Sequence, residues 1–438
     1  MKKDFLLLSA YLLFGTAPFL SALSLPAVFS DGMVLQQQSP IPVWGVAAPG
    51  EKIEIRFAGE QVECTADDQG GFQAELPPLP VNSEPQVMQI RGAVGEIILK
   101  DILVGEVWFC CGQSNMEFPL DKSYGGTAAA ATVSPLIRTL RIEKNQAAAP
   151  QRDARMTWIK GGRQPEQLSG VAFFFASQLQ QEQKVPVGII LAAVGSTRAE
   201  DWTAGTGAYF NGMVAPIGRF PMRGIIYYQG ESNVSDAENY YAVLGKCING
   251  FRRNLNITGN PFPLLLVQIA PFGYDAARAA KLPLLQSIQE KFALDNGFQL
   301  AVISDAGDFN TIHPTDKKTV GVRLAHLAEI TCYHPDCGRN TTPVLQSCRR
   351  EGKDVRVVFS NVSQWKVSHG QVTGFEVAGA DGKFHNALVE FLPGGALRVF
   401  SAQVPEPQTI RYMWRPHYRA NLYNEEGFPL GCFRQKLR

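Results

Sequence analysis

The sequence predicts an α/β fold of the doubly wound kind, with a sheet of about five parallel strands flanked by N-terminal and C-terminal β regions. Two patterns carry that expectation. Near-continuous apolar runs at 107–111, 187–193, 224–228, 264–269 and 300–304 suit strands buried on both faces. Helical patterns at 171–184, 239–253 and 284–294 lie between them, and a fourth at 315–330 follows the last run. Strand alternating with helix implies a parallel sheet.

The flanking regions look different. Between 25 and 100, short apolar runs at 28–29, 33–35, 41–44, 53–57, 72–76 and 87–90 are separated by Gly, Pro and Asp turns, which suggests a small sandwich. Residues 101–342 hold the α/β pattern. After 342 the chain returns to short strands, at 355–359, 374–377, 397–400 and 409–413, so 343–438 form a C-terminal β region with the N-terminal one as its expected packing partner. Ahead of all this, Lys2 and Lys3 precede a run of about ten apolar residues, then Pro18 and small residues with Ala22-Leu23-Ser24 as a cleavage site. Residues 1–24 are expected to be a signal peptide, because a membrane span needs roughly 20 apolar residues. The protein is then exported, periplasmic or extracellular, with no membrane span once that segment is removed.

Composition narrows the function classes. With 41 Lys plus Arg against 40 Asp plus Glu, the net charge of +1 would not gather a nucleic acid or an anionic membrane. Charged residues are 18% and hydrophobic ones 45% of the 438 residues, which allows an ample core. No Cys/His spacing matches a zinc site, and no metal or cofactor is expected. Of the eight cysteines, Cys332 and Cys337 flank a short loop and are candidates for a bridge, while Cys110 and Cys111 end an apolar strand and are expected as buried thiols.

In an open α/β sheet, ligands bind beyond the carboxyl ends of the strands. The first predicted strand runs into Gly112-Gln113-Ser114-Asn115-Met116, the second ends at Gly195-Ser196-Thr197, and the third at Gln229-Gly230-Glu231. The fifth is followed by Asp305, Asp308, Asn310 and His313, just before a helix. A Ser, a Gly amide, a Gln amide and a His on one edge are the parts needed for acyl transfer: a nucleophile, its base and donors for an oxyanion. Singly each is ordinary; the placement at successive strand ends carries the inference. The G-x-S-x-G elbow of α/β-hydrolases is absent.

These residues resemble a known family. The segments Gly112 to Met116, Tyr228 to Asn233 and Ile312-His313-Pro314 are similar to motifs of the sialate O-acetylesterases, in the SGNH hydrolase superfamily. The stretch from Leu25 to Gln36 with Pro42-Val43-Trp44, and the tail Ala420 to Asn424 with Gly427-Phe428-Pro429, resemble that family's two ends, so the likeness covers nearly the whole chain. It implies Ser114 as nucleophile, His313 as general base, and an oxyanion hole made by the Ser114 N–H, the Gly195 N–H and the Gln229 side chain. It further implies a covalent acetyl-enzyme, no cofactor, and an O-acetylated sugar, foremost an O-acetyl sialic acid, as substrate. An acetyl xylan or other polysaccharide deacetylase is the alternative substrate class; a catalytically dead carbohydrate-binding protein is the alternative of another kind.

The chain departs from the pattern in two places. Where many SGNH enzymes carry an Asp three residues before the His, this one has Asn310, so Asn310, Asp308 and a backbone carbonyl all stand as candidates to orient the imidazole. The link from Gly195 to Asn211-Gly212-Met213 is short, which implies a more open site. Glu231 and Arg198 are candidate substrate contacts; for Glu231 the other role is to brace the loop beneath the site, and for Arg198 it is an ion pair with Glu200 or Asp201.

Overall fold

The computed structural model describes residues 22–437. The expected signal peptide lies outside them as far as residue 21, but Ser24 joins the fold, exchanging backbone hydrogen bonds of 2.8 and 2.9 Å with Val46. The N-terminal region contains β1 (Val34–Gln36), β2 (Ile41–Val46), β3 (Lys52–Phe57), β4 (Glu60–Thr65), β5 (Gly71–Leu76) and β6 (Asn82–Arg91). Its apolar positions alternate inward, as in β3, where Ile53, Ile55 and Phe57 are buried and Lys52 and Arg56 face solvent. The polar strand β4, which the hydrophobic pattern does not reveal, is an exposed edge.

The 17-residue strand β7 (Glu96–Gly112) belongs to both layers of the molecule. Its first half pairs with β6 and β1, and its second half lies between two strands of the α/β sheet. One apolar core therefore runs without interruption from Val28 through Phe109 to Ile330.

Beyond β7 come β8 (Ile137–Ile142), β9 (Met156–Lys160), β10 (Val187–Ala193), β11 (Gly224–Tyr228), β12 (Leu264–Val267) and β13 (Gln299–Ala301). The sheet order is β13-β12-β11-β7-β10-β8-β9, all parallel except the antiparallel edge β9. The predicted five strands are present, and β8 and β9 widen the sheet. The helices are the short α1 (Ser114–Glu117), α2 (Gly126–Thr132), α3 (Gly170–Gln183), α4 (Tyr240–Asn254), the short α5 (Ala276–Ala279), α6 (Leu282–Asn296) and α7 (Lys317–Ala328). α3 packs with α7, and α4 with α6. The chain leaves β7 toward β8 and returns through β10, then crosses to β11 on the other side, so the order reverses at the carboxyl end of β7. That reversal opens the crevice in which such sheets bind ligands.

The C-terminal region forms two four-stranded antiparallel sheets around a second core that includes Val355, Val357, Phe375, Leu397, Ile410 and Tyr412. Its expected partner was the N-terminal region. Instead its contacts run to the far edge of the α/β sheet: Tyr418 donates to Gln286 on α6 at 3.4 Å, Tyr423 to Asp305 at 3.3 Å, and Phe272 N–H to the Pro416 carbonyl at 3.0 Å. All eight cysteines are free thiols, Cys332 and Cys337 included, and Cys110 and Cys111 are buried.

Trp108 and Phe175 illustrate how α3 is fixed to the sheet: both are fully buried, with rings edge to face at 5.2 Å. Phe175→Ala is expected to cost about 3–5 kcal/mol, as for other buried aromatic truncations. Urea unfolding would show it as a lower midpoint with an unchanged slope.

Candidate active site

β7 ends between β10 and β11, with Gly112 opposite both Ala193 and Tyr228. A Cβ on Gly112 would lie 2.0 Å from the Tyr228 carbonyl oxygen, at a φ of +150°, so only glycine allows this close turn out of the sheet. The chain then enters α1 with Ser114 as its first residue, and an N–H there has no intrahelical acceptor. Ser114 and His313 line one cavity of about 260 Å³ with Glu117, Phe118, Pro119, Lys122, Arg141 and Glu166. No direct hydrogen bond joins Ser114 to His313. The imidazole lies 6.2 Å from the Phe118 ring, tilted against it.

Both neighbours of Ser114 are buried and fully engaged. The Gln113 side-chain oxygen accepts from Gln229 Nε2, the Gly230 N–H and the Ser232 N–H at 3.2–3.3 Å. Asn115 donates to Glu231 Oε1 at 2.6 Å and to the Ile312 carbonyl at 3.0 Å, and accepts from Lys317 Nζ at 2.6 Å. The Ser114 turn is thus tied to the loop after β11, to the residue before His313, and to α7.

The ionisable groups of this network are shifted toward neutrality. Burial raises the Glu231 carboxyl, against the opposing pull of Asn115 and Lys317, and its second oxygen has no partner among the described residues. Burial lowers the Lys317 ammonium to about 7. His313 is also lowered, first by burial and then by the neighbouring charge of Lys317. A carboxylate partner would have the opposite effect.

The structure brings only some of the candidate residues to this cavity. Gln229 does not face the cavity: it is completely buried, and its amide donates to Asn233 Oδ1 at 2.8 Å and to Gln113 Oε1 and the Thr197 carbonyl at 3.2 Å. Asn310 and Asp308 are exposed and bond to each other, the Asn310 N–H donating to Asp308 Oδ1 at 2.8 Å, and neither side chain hydrogen-bonds to His313. Asp305 is held by both nitrogens of Arg323 at 2.9 Å. Arg198 is not on the cavity wall; it pairs with Glu200 at 2.9 Å and Asp236 at 3.3 Å. Glu231 lies beneath the site, bound to Asn115, and is a brace.

Other residues take the places that sequence inspection gave to these. Arg141, on β8, is the arginine of the cavity, with Nη1 donating to the Gln167 carbonyl at 2.7 Å. Glu117, one helical turn after Ser114, accepts from the Gly195 N–H at 2.8 Å and pairs with Lys144 at 2.6 Å. Spacing alone could have flagged Glu117; nothing in the local sequence marks Arg141. Among the described residues, no group of three His, Cys, Asp or Glu is placed to hold a metal ion.

With this geometry in view, comparison with known proteins is decisive. Residues 104–328, just over half of the chain, match the model of the carbohydrate esterase, sialic acid-specific acetylesterase family. The chain belongs to that family. It is 24% identical to the human sialate O-acetylesterase and 23% to the mouse one, in each case across 69% of this chain and 70% or 72% of the relative. A solved carbohydrate acetylesterase from Xanthomonas citri superposes with a TM-score of 0.89 at 31% identity, over 95% of this chain and all of the other. This sialic acid-specific acetylesterase family member is therefore a carboxylic ester hydrolase of SGNH type, removing O-acetyl groups from carbohydrate.

The network around Asn115 gives a stability contrast. Asn115→Ala strands a buried carboxyl and a buried ammonium and is expected to cost about 3 kcal/mol, since hydrogen bonds to charged groups contribute about 1.5–3 kcal/mol each. Asn310→Ala, at an exposed loop, should stay within about 0.5 kcal/mol. Thermal unfolding of the two variants side by side measures the difference.

Proposed function

We propose that Ser114 is the nucleophile and His313 the general base of this esterase, acting on O-acetylated sialic acids. The observation that carries this is the shared cavity: Ser114 and His313 arrive from opposite ends of the α/β segment and line one charged pocket at the switch point of the sheet. In the first step the imidazole takes the hydroxyl proton as Ser114 Oγ attacks the acetyl carbonyl. The oxyanion is received by the Ser114 N–H and the Gly195 N–H, one such donor typically contributing about 10²–10³ in rate. The protonated imidazole then gives its proton to the departing sugar oxygen, leaving an acetyl-Ser114 that water hydrolyses with His313 again as base.

Among the described residues, no carboxylate hydrogen-bonds to the His313 ring as the orienting member of a Ser-His-Asp triad would. A base works only when neutral, and burial together with the Lys317 charge favours the neutral imidazole. Its surroundings are otherwise mixed: Glu117 on α1, Lys122, Arg141 on β8 and Glu166 share its cavity.

The names of the mammalian relatives and the cations Lys122 and Arg141 on the cavity wall support sialate, whose carboxylate suits a guanidinium. Glu117 and Glu166 on the same wall favour a second substrate class, a neutral acetylated polysaccharide such as acetyl xylan. Acetate release from 9-O-acetylated sialic acid and from acetylated xylan, measured side by side, decides between them. Release from sialate supports the first reading and release from xylan alone replaces it with the second.

In either assay Ser114→Ala is expected to lower kcat by about 10⁴–10⁶-fold, and His313→Ala by about 10²–10⁴-fold. Residual turnover near the parent level in Ser114→Ala would remove the mechanism. The pH profile of kcat/KM adds an independent check. Because His313 is lowered from its ordinary value, the acid limb should fall below pH 6.5, with activity lost as pH drops through it. In Lys317→Met that limb should move to higher pH.

A further inference from the structure

The Gly195 N–H is committed in this structure to the Glu117 carboxylate, at 2.8 Å. A Cβ built on Gly195 would lie 3.5 Å from that carboxylate and 3.5 Å from Ser114 Cβ, so Gly195 adjoins two residues of the cavity wall, Ser114 and Glu117. An ester carbonyl attacked by Ser114 has to place its oxygen where Glu117 now sits. A carboxylate left there would repel the developing oxyanion, so Glu117 must give up the Gly195 N–H before the reaction.

Its other anchor shows where it would go. Glu117 Oε1 pairs with Lys144 at 2.6 Å, and Lys144 lies just past β8, on a segment fastened to the chain around Asn211. Asn211 donates to the Ala147 carbonyl at 3.2 Å, and the Gln151 N–H donates to the Asn211 carbonyl at 2.9 Å. A carboxylate pivoting on Lys144 keeps its countercharge and stays at the cavity.

Building on the assignment of Ser114 as nucleophile, we propose that Glu117 is a specificity-determining residue. It occupies the oxyanion site until an acetyl carbonyl displaces it, and it then accepts a hydrogen bond from a hydroxyl of the sugar. The exchange is balanced: the Gly195 N–H passes from the carboxylate to the carbonyl oxygen, and Glu117 keeps its pairing with Lys144. An ester whose alcohol lacks hydroxyls displaces Glu117 with nothing returned, so the residue discriminates in favour of polyhydroxylated esters.

The test compares p-nitrophenyl acetate with an O-acetylated sugar from which the protein releases acetate. In Glu117→Ala, kcat/KM on p-nitrophenyl acetate is expected to rise about threefold or more, because the donor is unblocked, and on the sugar to fall about tenfold or more. Glu117→Gln keeps an acceptor oxygen but exchanges the charge-assisted bonds for weaker neutral ones, so the ratio of the two substrates should shift in the same direction by a smaller factor. It also decides the matter if Glu117→Ala does not fold. Any result in which both substrates move together by a similar factor, or neither moves, overturns the proposal. Ser114→Ala, run in parallel, tests the nucleophile separately: activity surviving there removes Ser114, whereas the ratio between substrates reports on Glu117.

Discussion

The two side chains flanking Ser114 are the constraint from which the rest of the site follows. Gln113 and Asn115 are both buried, and a buried amide left without partners costs about 1–3 kcal/mol. The chain meets that demand by bringing other strand-end loops to them. The Gln113 oxygen collects three donors from the turn after β11, and Asn115 binds that turn, the loop before His313 and the start of α7. The Ser114 turn is therefore a hub, and the placement of Ser114 relative to His313 is fixed by a network outside the pair itself.

The same network supplies part of what a third triad residue usually supplies. An aspartate beside a catalytic histidine fixes the ring and stabilises its protonated form. Here the loop position of the ring is fixed through Asn115 and the Ile312 carbonyl, while the buried charge acting on the ring is the Lys317 cation. That arrangement favours the neutral base before reaction and gives less help to the imidazolium during it. Such a site depends the more on its oxyanion donors, which makes the engagement of the Gly195 N–H by Glu117 consequential.

Much of this was legible in the sequence, and the gaps have physical causes. Strand ends at Gly112, Gly195 and Gln229 could be read because apolar runs buried on both faces stop sharply at polar turns. What a side chain does beyond such a turn is not encoded locally. Gln229 turns inward because Gln113, Thr197 and Asn233 offer acceptors there, and only the folded chain brings those together. Strand β8 escaped notice because Arg138 and Arg141 interrupt its apolar pattern. Arg138 is nonetheless buried, with its charge answered by Asp101 at 2.8 Å in the bend of β7. The docking of the C-terminal region on α6 is likewise a tertiary outcome, made by Tyr418 and Tyr423 meeting partners more than a hundred residues away.

The placement of Arg141 and Lys144 on and just beyond that unrecognised strand separates two tasks. The reacting groups come from the middle of the sheet, where β7 is held on both sides by strands and any shift is felt throughout the core. Arg141 and Lys144 come from β8 and the segment just past it, one strand in from the sheet edge and separated from β7 by β10. Substrate preference can therefore vary across related chains while the chemistry stays fixed. Glu117 is the point where the two tasks meet, because it is one turn from the nucleophile and is held by a lysine of the outer segment. A change at Lys144 would reach the oxyanion site through Glu117 without altering a single residue at the reacting centre.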